Sequence, residues 1–473
     1  MYKKLLLLYN IVKYVIFVLL LWSVNANAED WTSIGEPDCS PTTECVYINS
    51  AAGGGSGTSW SDALSTWPSS YTRGKKYYVA DGSYAGDTFN TAVSGSTYIF
   101  IKKATASDHG TETGWSSAYG DGVAVITGFM DFEDTSGYWV FDGQVGGGPD
   151  DWYGETTPYG FRIDYASGYR VRVGGSSWPS PTPYLNLYHI MWNTGGAGSD
   201  AIVGKLSYST ISHCYFYQSN RTSFLFQSDS TNNTIEYNSF RDHNCTSGQH
   251  NEPVSWNDSG DNSNNIIRYN EFWNWKGDTY GATGVIVMKG DTTGVTTGDF
   301  QIYGNIFRCT TGYGCEVSNG IITDTDSSAG TASDIKVWGN TFYNTGSVSM
   351  SALIRYGHPG SGNEFRNNIV IDADHYGASG TETHNLYDNS EAASGDSSGG
   401  QYYTGAYTDL FNDPDNNDFT LKIATDAGYD LSENYTVDML GVTFGDDGIW
   451  DRGAYEYASG AAPTNSIQGV TIN

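Results

Sequence analysis

One six-residue pattern recurs down the middle of this chain and limits what it can fold into. It reads Ile235-Glu-Tyr-Asn238-Ser-Phe240, Ile267-Arg-Tyr-Asn270-Glu-Phe272, Ile302-Tyr-Gly-Asn305-Ile-Phe307, Val337-Trp-Gly-Asn340-Thr-Phe342 and Phe365-Arg-Asn-Asn368-Ile-Val370. An earlier copy is Ile211-Ser-His-Cys214-Tyr-Phe216, and a still earlier one is read at Asn186-Leu-Tyr-His189-Ile-Met191. The spacing between pivots varies, whereas the core does not, which is the mark of a repeat architecture with loops of variable length. The aliphatic residue stands three before the pivot and the aromatic two after it. In one continuous strand those two side chains would face opposite ways. Both point inward if the chain turns at the pivot, and Asn tolerates the left-handed backbone of a tight turn. Stacked units then form an Asn ladder beside a Phe ladder, with coils about 4.8 Å apart, in a parallel β-solenoid.

Composition agrees. The chain has 473 residues with 59 Gly, 36 Tyr, 19 Phe and 14 Trp, a β-former bias that suits an all-β chain with a large core. The formal net charge of −30 excludes a free nucleic-acid binder, which needs a basic face. Residues 1–28 read as a signal peptide: Lys3 and Lys4, an apolar run to Trp22, and a small-x-small cleavage site at Ala26-Asn27-Ala28. Residues 29–457 are expected to form one domain, and residues 458–473 a small, polar tail. No later stretch is long and apolar enough to span a bilayer, so the mature protein is expected to be secreted or at the cell surface, without a membrane anchor and as a monomer. The six cysteines all follow the leader, at 39, 45, 214, 245, 309 and 315. In an oxidising compartment they favour disulfides. Cys39–Cys45 and Cys309–Cys315 are natural short-loop pairs, leaving Cys214–Cys245. No CxxC spacing suggests zinc.

The Asn-pivot repeat resembles the right-handed parallel β-helix of the pectate-lyase-like superfamily. The segment from Tyr47-Ile-Asn-Ser50 through Gly57-Thr-Ser-Trp60 to Tyr78-Val-Ala-Asp-Gly-Ser-Tyr84 is similar to that family's N-terminal cap and first coil. Asp409-Leu-Phe411, Asp418-Phe-Thr-Leu421 and Trp450-Asp-Arg-Gly-Ala-Tyr-Glu-Tyr457 look like its closing segment. The resemblance spans roughly residues 47–457. It implies a single-stranded β-helix with an N-terminal cap, and a polymer lying in a groove walled by loops. The superfamily includes lyases, hydrolases, epimerases, tailspikes and non-catalytic surface proteins. The paired Asp of polygalacturonases and the Arg-x-Pro-x-x-Arg of pectate lyases are not found.

A further strand is expected in each coil, at 223–229, 252–258, 283–289, 319–324 and 352–358, approached through long polar loops. Three positions after the pivot stand Tyr217, Arg241, Trp273, Arg308 and Tyr343, which by parity lean outward. Aromatic and guanidinium groups in a row suit sugar rings and sugar acids. Residues 205–366 hold 10 Lys+Arg and 15 Asp+Glu, making the central coils the surface least hostile to an anionic chain. The expectation is a polysaccharide lyase acting by β-elimination on a uronic-acid polymer. That chemistry needs a base to take the proton beside a uronate carboxylate and a cation to hold the enolate charge. Lys289 or His250 is expected as the base, Arg241 as the carboxylate neutraliser, and Glu252 as the group that orients the base or holds a cation. Trp256, Trp273, Trp275, Arg308, Arg355 and His358 are expected to bind sugar. Ca2+ is the cofactor that the Asp-rich loops at 258, 261, 278, 413, 415 and 418 would suit, with no recognised calcium motif. Two other readings share the groove: a glycoside hydrolase using two carboxyl groups, and a non-catalytic carbohydrate-binding or adhesion protein.

Overall fold

The structure is a computed structural model that describes residues 31–40, 42–144, 159–165, 168–193, 200–219, 221–244, 252–256, 262–276, 284–288, 296–310, 322–324, 331–345, 354–356, 360–372, 380–388 and 395–458. The expected leader, and the tail after Ala458, lie outside them. Among the described residues no helix is long and apolar enough to cross a membrane.

The chain winds into a right-handed parallel β-helix, as the repeat implies. Among the described residues the coils build three long parallel sheets. A strand before the Asn turn joins a twelve-stranded sheet, the pre-turn sheet. A strand after the turn joins a second twelve-stranded sheet, the post-turn sheet. A loop then leads to a nine-stranded sheet, the loop-fed sheet. One coil illustrates the path: Thr234–Glu236 before the turn, Ser239–Asn244 after it, and Val254–Trp256 beyond the loop. The loop-fed strands Phe224–Phe226, Val254–Trp256, Ile286–Met288, Ile322–Asp324 and Ile354–Tyr356 all fall inside the stretches expected for them.

Register turns the repeat into columns. Ile211, Ile235, Ile267, Ile302, Val337 and Phe365 pair in sequence along the pre-turn sheet. Phe216, Phe240, Phe272, Phe307 and Phe342 do so along the post-turn sheet. The five rings stack at centroid separations of 4.9, 4.8, 4.9 and 4.6 Å, and each is at most 1% exposed. Between the two columns runs the Asn ladder. Asn238, Asn270, Asn305 and Asn340 each donate from Nδ2 to Oδ1 of the next Asn, at 3.0 to 3.1 Å, and to the carbonyl of an aliphatic residue in the preceding coil.

Three local expectations are corrected. The left-handed residue of the turn is the one before the Asn: His213 (φ 52°), Tyr237 (53°), Tyr269 (56°), Gly304 (64°), Gly339 (54°) and Asn367 (55°). The ladder Asn points into the turn, because burying its amide satisfies backbone groups of two coils at once. The first copy is also shifted by one. Leu187 pairs with Ile211 and Trp192 with Phe216, so Trp192 fills the aromatic slot in place of Met191, and His189 (φ 53°) is the left-handed residue. One further rung, Asn385, accepts from Asn368 at 3.0 Å. Finally, Cys214 is a free, buried thiol and not half of a disulfide with Cys245. It occupies the Asn slot: its amide donates to Asn238 Oδ1 (2.9 Å) and its thiol lies 3.1 Å from the Ser212 carbonyl. Cys245 lies outside the described residues. Cys39–Cys45 is formed, with Cα atoms 5.4 Å apart. Cys309 is disulfide-bonded, and its expected partner, Cys315, lies outside the described residues.

The first and last described residues pack over the coils. Trp31 covers Tyr98, Phe100, Val140 and Tyr188 on the outer side of the pre-turn sheet, and its indole donates to Asp142 (2.9 Å). Residues 403–457 form a closing segment whose Leu410, Phe411, Phe419, Tyr435 and Trp450 pack on Tyr269, Tyr303, Trp338 and Tyr343 of the coils.

Candidate functional site

Each coil leaves the post-turn sheet through a corner. Gln218, Asp242 and Asn274 hold φ near 53° there, and the Asn274 amide donates to Asp242 Oδ1 at 3.2 Å. The chain then approaches the loop-fed sheet. Because Ile202, Phe224 and Val254 are register partners, the residues two before them form a column: Asp200, Thr222 and Glu252. Polar groups gather here. Asp200 is fully buried and accepts from the Thr222 amide (3.3 Å) and hydroxyl. Its Oδ2 lies 3.3 Å from the partly exposed Arg221 guanidinium. Burial pushes the Asp200 carboxyl up, Arg221 and Thr222 pull it down, and the negative charge of Glu252 raises it further. Glu252 itself is 4% exposed. The guanidinium of Arg170, also fully buried, is 3.5 Å from the Asp200 carbonyl, and burial lowers its pKa to about 10. Behind the corner, Ser223 Oγ lies 3.3 Å from His243 Nε2, and burial depresses that imidazole to about 3, keeping it neutral. Two carboxyl groups, two guanidinium groups and a hydroxyl thus converge where the described chain enters the loop-fed sheet.

The outward row lies in one column, as parity requires: Tyr217, Arg241, Trp273, Arg308 and Tyr343 are successive register partners. It is roofed. Trp273 is sandwiched between two guanidinium groups, with Arg241 Cζ 3.7 Å and Arg308 Cζ 4.3 Å from its ring centre. Arg308 is 4% exposed and donates to Asn417 Oδ1 (3.0 Å) and the Asp415 carbonyl (2.9 Å) of the closing segment. Tyr343 packs against Phe419 at 5.1 Å. Beneath them Glu271 is fully buried, 3.9 Å from Arg241 and 3.3 Å from Ser239 Oγ. Burial raises its pKa against the pull of Arg241.

The expected site residues are therefore distributed as follows. Glu252 stands at the loop-fed corner, whereas Arg241 stands on the post-turn sheet with Glu271 and Trp273, so the two do not share a face. Trp256 and Trp275 point inward and are at most 1% exposed; Trp256 packs on Phe226 (5.1 Å) and Phe300 (4.9 Å). Their indoles fill the core, because the post-turn strand bends at Asn274 and turns Trp275 inward, so neither lines a groove. Arg355 lies in the strand Ile354–Tyr356 beside Thr323. His250, Lys289 and His358 lie outside the described residues. Asp200, Arg221 and Arg170 were missed; aligning Asp200-Ala-Ile202 with Glu252-Pro-Val254 by their loop-fed strands would have found the acidic pair. Among the described residues no group of three or more His, Cys, Asp or Glu is placed to hold a metal ion.

No family model matches the chain, and no curated protein matches it. Among solved structures, it is similar to the PL6 family polysaccharide lyase Pedsa3628 from Pseudopedobacter saltans, at 12% identity and a TM-score of 0.39, over 75% of this chain and 93% of that one. It is also similar to pectate lyase Pel9A, at 14% identity and a TM-score of 0.41, over 88% of this chain and 96% of that one.

Proposed function

We propose that the protein is a secreted polysaccharide lyase that cleaves a uronic-acid polymer by β-elimination at the loop-fed corner. The observation that carries this reading is the pairing of buried Asp200 with Arg221 at 3.3 Å beside nearly buried Glu252, at the edge where the loops enter. A guanidinium held by a buried carboxylate is oriented in advance for a uronate carboxyl group, and would stabilise the enolate formed when the neighbouring proton leaves. Lys289 or His250 would take that proton, with Glu252 orienting the base. Electrons from the broken C–H bond form the carbon–carbon double bond and expel the glycosidic oxygen, which leaves with a proton. In this reading Arg221 takes the role of carboxylate neutraliser and Arg241, on the post-turn sheet, is assigned none. The Cys39–Cys45 disulfide fits export to an oxidising compartment.

The test is the purified protein on a polyuronate panel, reading the ultraviolet absorbance of unsaturated uronates together with new reducing ends. Both are expected to rise. Glu252→Gln and the substitution of the true base, Lys289→Ala or His250→Ala, should each lower kcat by about a hundredfold or more. Reducing ends without unsaturated products would mean hydrolysis. Binding with neither product would mean an adhesin.

A further inference from the structure

A second surface, on the pre-turn side of the coils, has the features of a glycan site. Two residues before each pre-turn strand partner the backbone turns left-handed, giving a column of Tyr138, Tyr184, Tyr208, Asn232, Asn264, Asp299 and Asp334, all with φ between 52° and 62°. The first three are a stack: Tyr138 and Tyr184 lie 4.5 Å apart, Tyr184 and Tyr208 5.3 Å apart, and both pairs are inclined by 17°. Tyr208 ends the stack and is 51% exposed. Beyond it the column changes from rings to amides and carboxylates, and these line an open groove of about 470 Å³. The floor of the groove is the register column Thr234, Ile266, Gln301 and Lys336, and Asn434 of the closing segment also lines it.

We propose that this groove binds an uncharged, extended polysaccharide chain, with Tyr208 as the ring-stacking platform at its head. Three features choose that ligand. The hydrogen-bonding groups repeat once per coil, about every 4.8 Å, so one row of protein groups meets successive sugars of a linear β-linked chain. An exposed, rigidly stacked Tyr offers a flat apolar face with little entropy left to lose, which suits the face of a pyranose ring. The charge excludes a polyanion. Asp299 and Asp334 line the groove, while Lys336, the cation among the described residues that line it, is tied to Glu364 (3.0 Å) and the Gly362 carbonyl. Carboxylates and amides there can accept from sugar hydroxyls but would repel a uronate. The groove is therefore distinct in place and in ligand from the loop-fed corner. It would hold the protein to a neutral component of a mixed polysaccharide matrix.

Isothermal titration calorimetry of the full chain with cellohexaose, xylohexaose, mannohexaose and a hexauronate tests this. At least one neutral hexamer should bind. Tyr208→Ala and Gln301→Ala, both at solvent-accessible positions, should each weaken it about tenfold or more while circular dichroism shows the fold intact. Hexauronate binding should be the same in both variants as in the parent. Failure of all three neutral hexamers to bind would overturn the proposal. So would neutral binding that both variants leave unchanged, or hexauronate binding that they weaken. Binding is read directly and not through turnover, so an absence of lyase activity would leave a positive result standing.

Discussion

Asn270 ties neighbouring coils together through one side chain. Its Nδ2 donates to the Ile235 and Arg268 carbonyls and to Asn305 Oδ1, while its Oδ1 accepts from the Asn238 amide and side chain. Asn270→Ala strands several buried polar groups together, and denaturant unfolding should show a loss of at least ~2 kcal/mol. Phe272→Ala removes one ring from the continuous stack and should cost roughly 3–5 kcal/mol in the same assay, because the flanking rings cannot close the cavity. Cys214 gives a chemical readout of the same turn. Burial pushes its thiol far above the ordinary range. Alkylation followed by peptide mapping should therefore leave Cys214 unmodified in the native protein and modify it in denaturant.

At the scale of elements, the turns and the closing segment depend on each other. Gly339 has φ 54°, and a Cβ there would sit 2.3 Å from the Tyr435 hydroxyl of the closing segment. Tyr435 in turn stacks on Tyr303 at 4.6 Å. Gly339→Ala should thus displace Tyr435 as well as strain the turn, costing about 1–3 kcal/mol and raising hydrogen exchange across residues 431–450. The row of Arg241, Trp273 and Arg308 belongs to this scale too. Arg308 holds the closing segment through Asn417 and Asp415, and the ring of Trp273 lies between the two guanidinium groups.

For the whole molecule, the closing segment makes stability depend on pH. Burial raises the Glu456 carboxyl to about 8 and Asp438 to about 6. Both are therefore protonated in the folded protein at pH values where the unfolded chain has ionised them. Their contribution is complete below the unfolded carboxylate pKa and is lost as pH rises through the folded values. The parent should lose stability relative to Glu456→Gln between about pH 4 and pH 8, seen as a difference in Tm that changes steadily with pH. A constant difference across that range would remove the assignment.

The repeat alone specifies the coil. Ile at one position, Asn three later and Phe two beyond that encode an inward residue, a turn and an inward residue, and parallel stacking follows because every coil repeats the rule. Such local patterning is legible since it depends on the period of the strand and on the chemistry of one turn. The sequence also located the loop-fed strands and placed Glu252 beside one of them. What it could not supply was which outward residues stay outward. Arg308 reads as part of a sugar platform until residues more than a hundred positions later fold over it, and Trp275 reads as outward until the strand bends at Asn274. Arg221, Asp200 and Glu252 come from three coils and meet because register stacks them. Contacts of that kind are set by long-range packing, which no periodicity in the chain records.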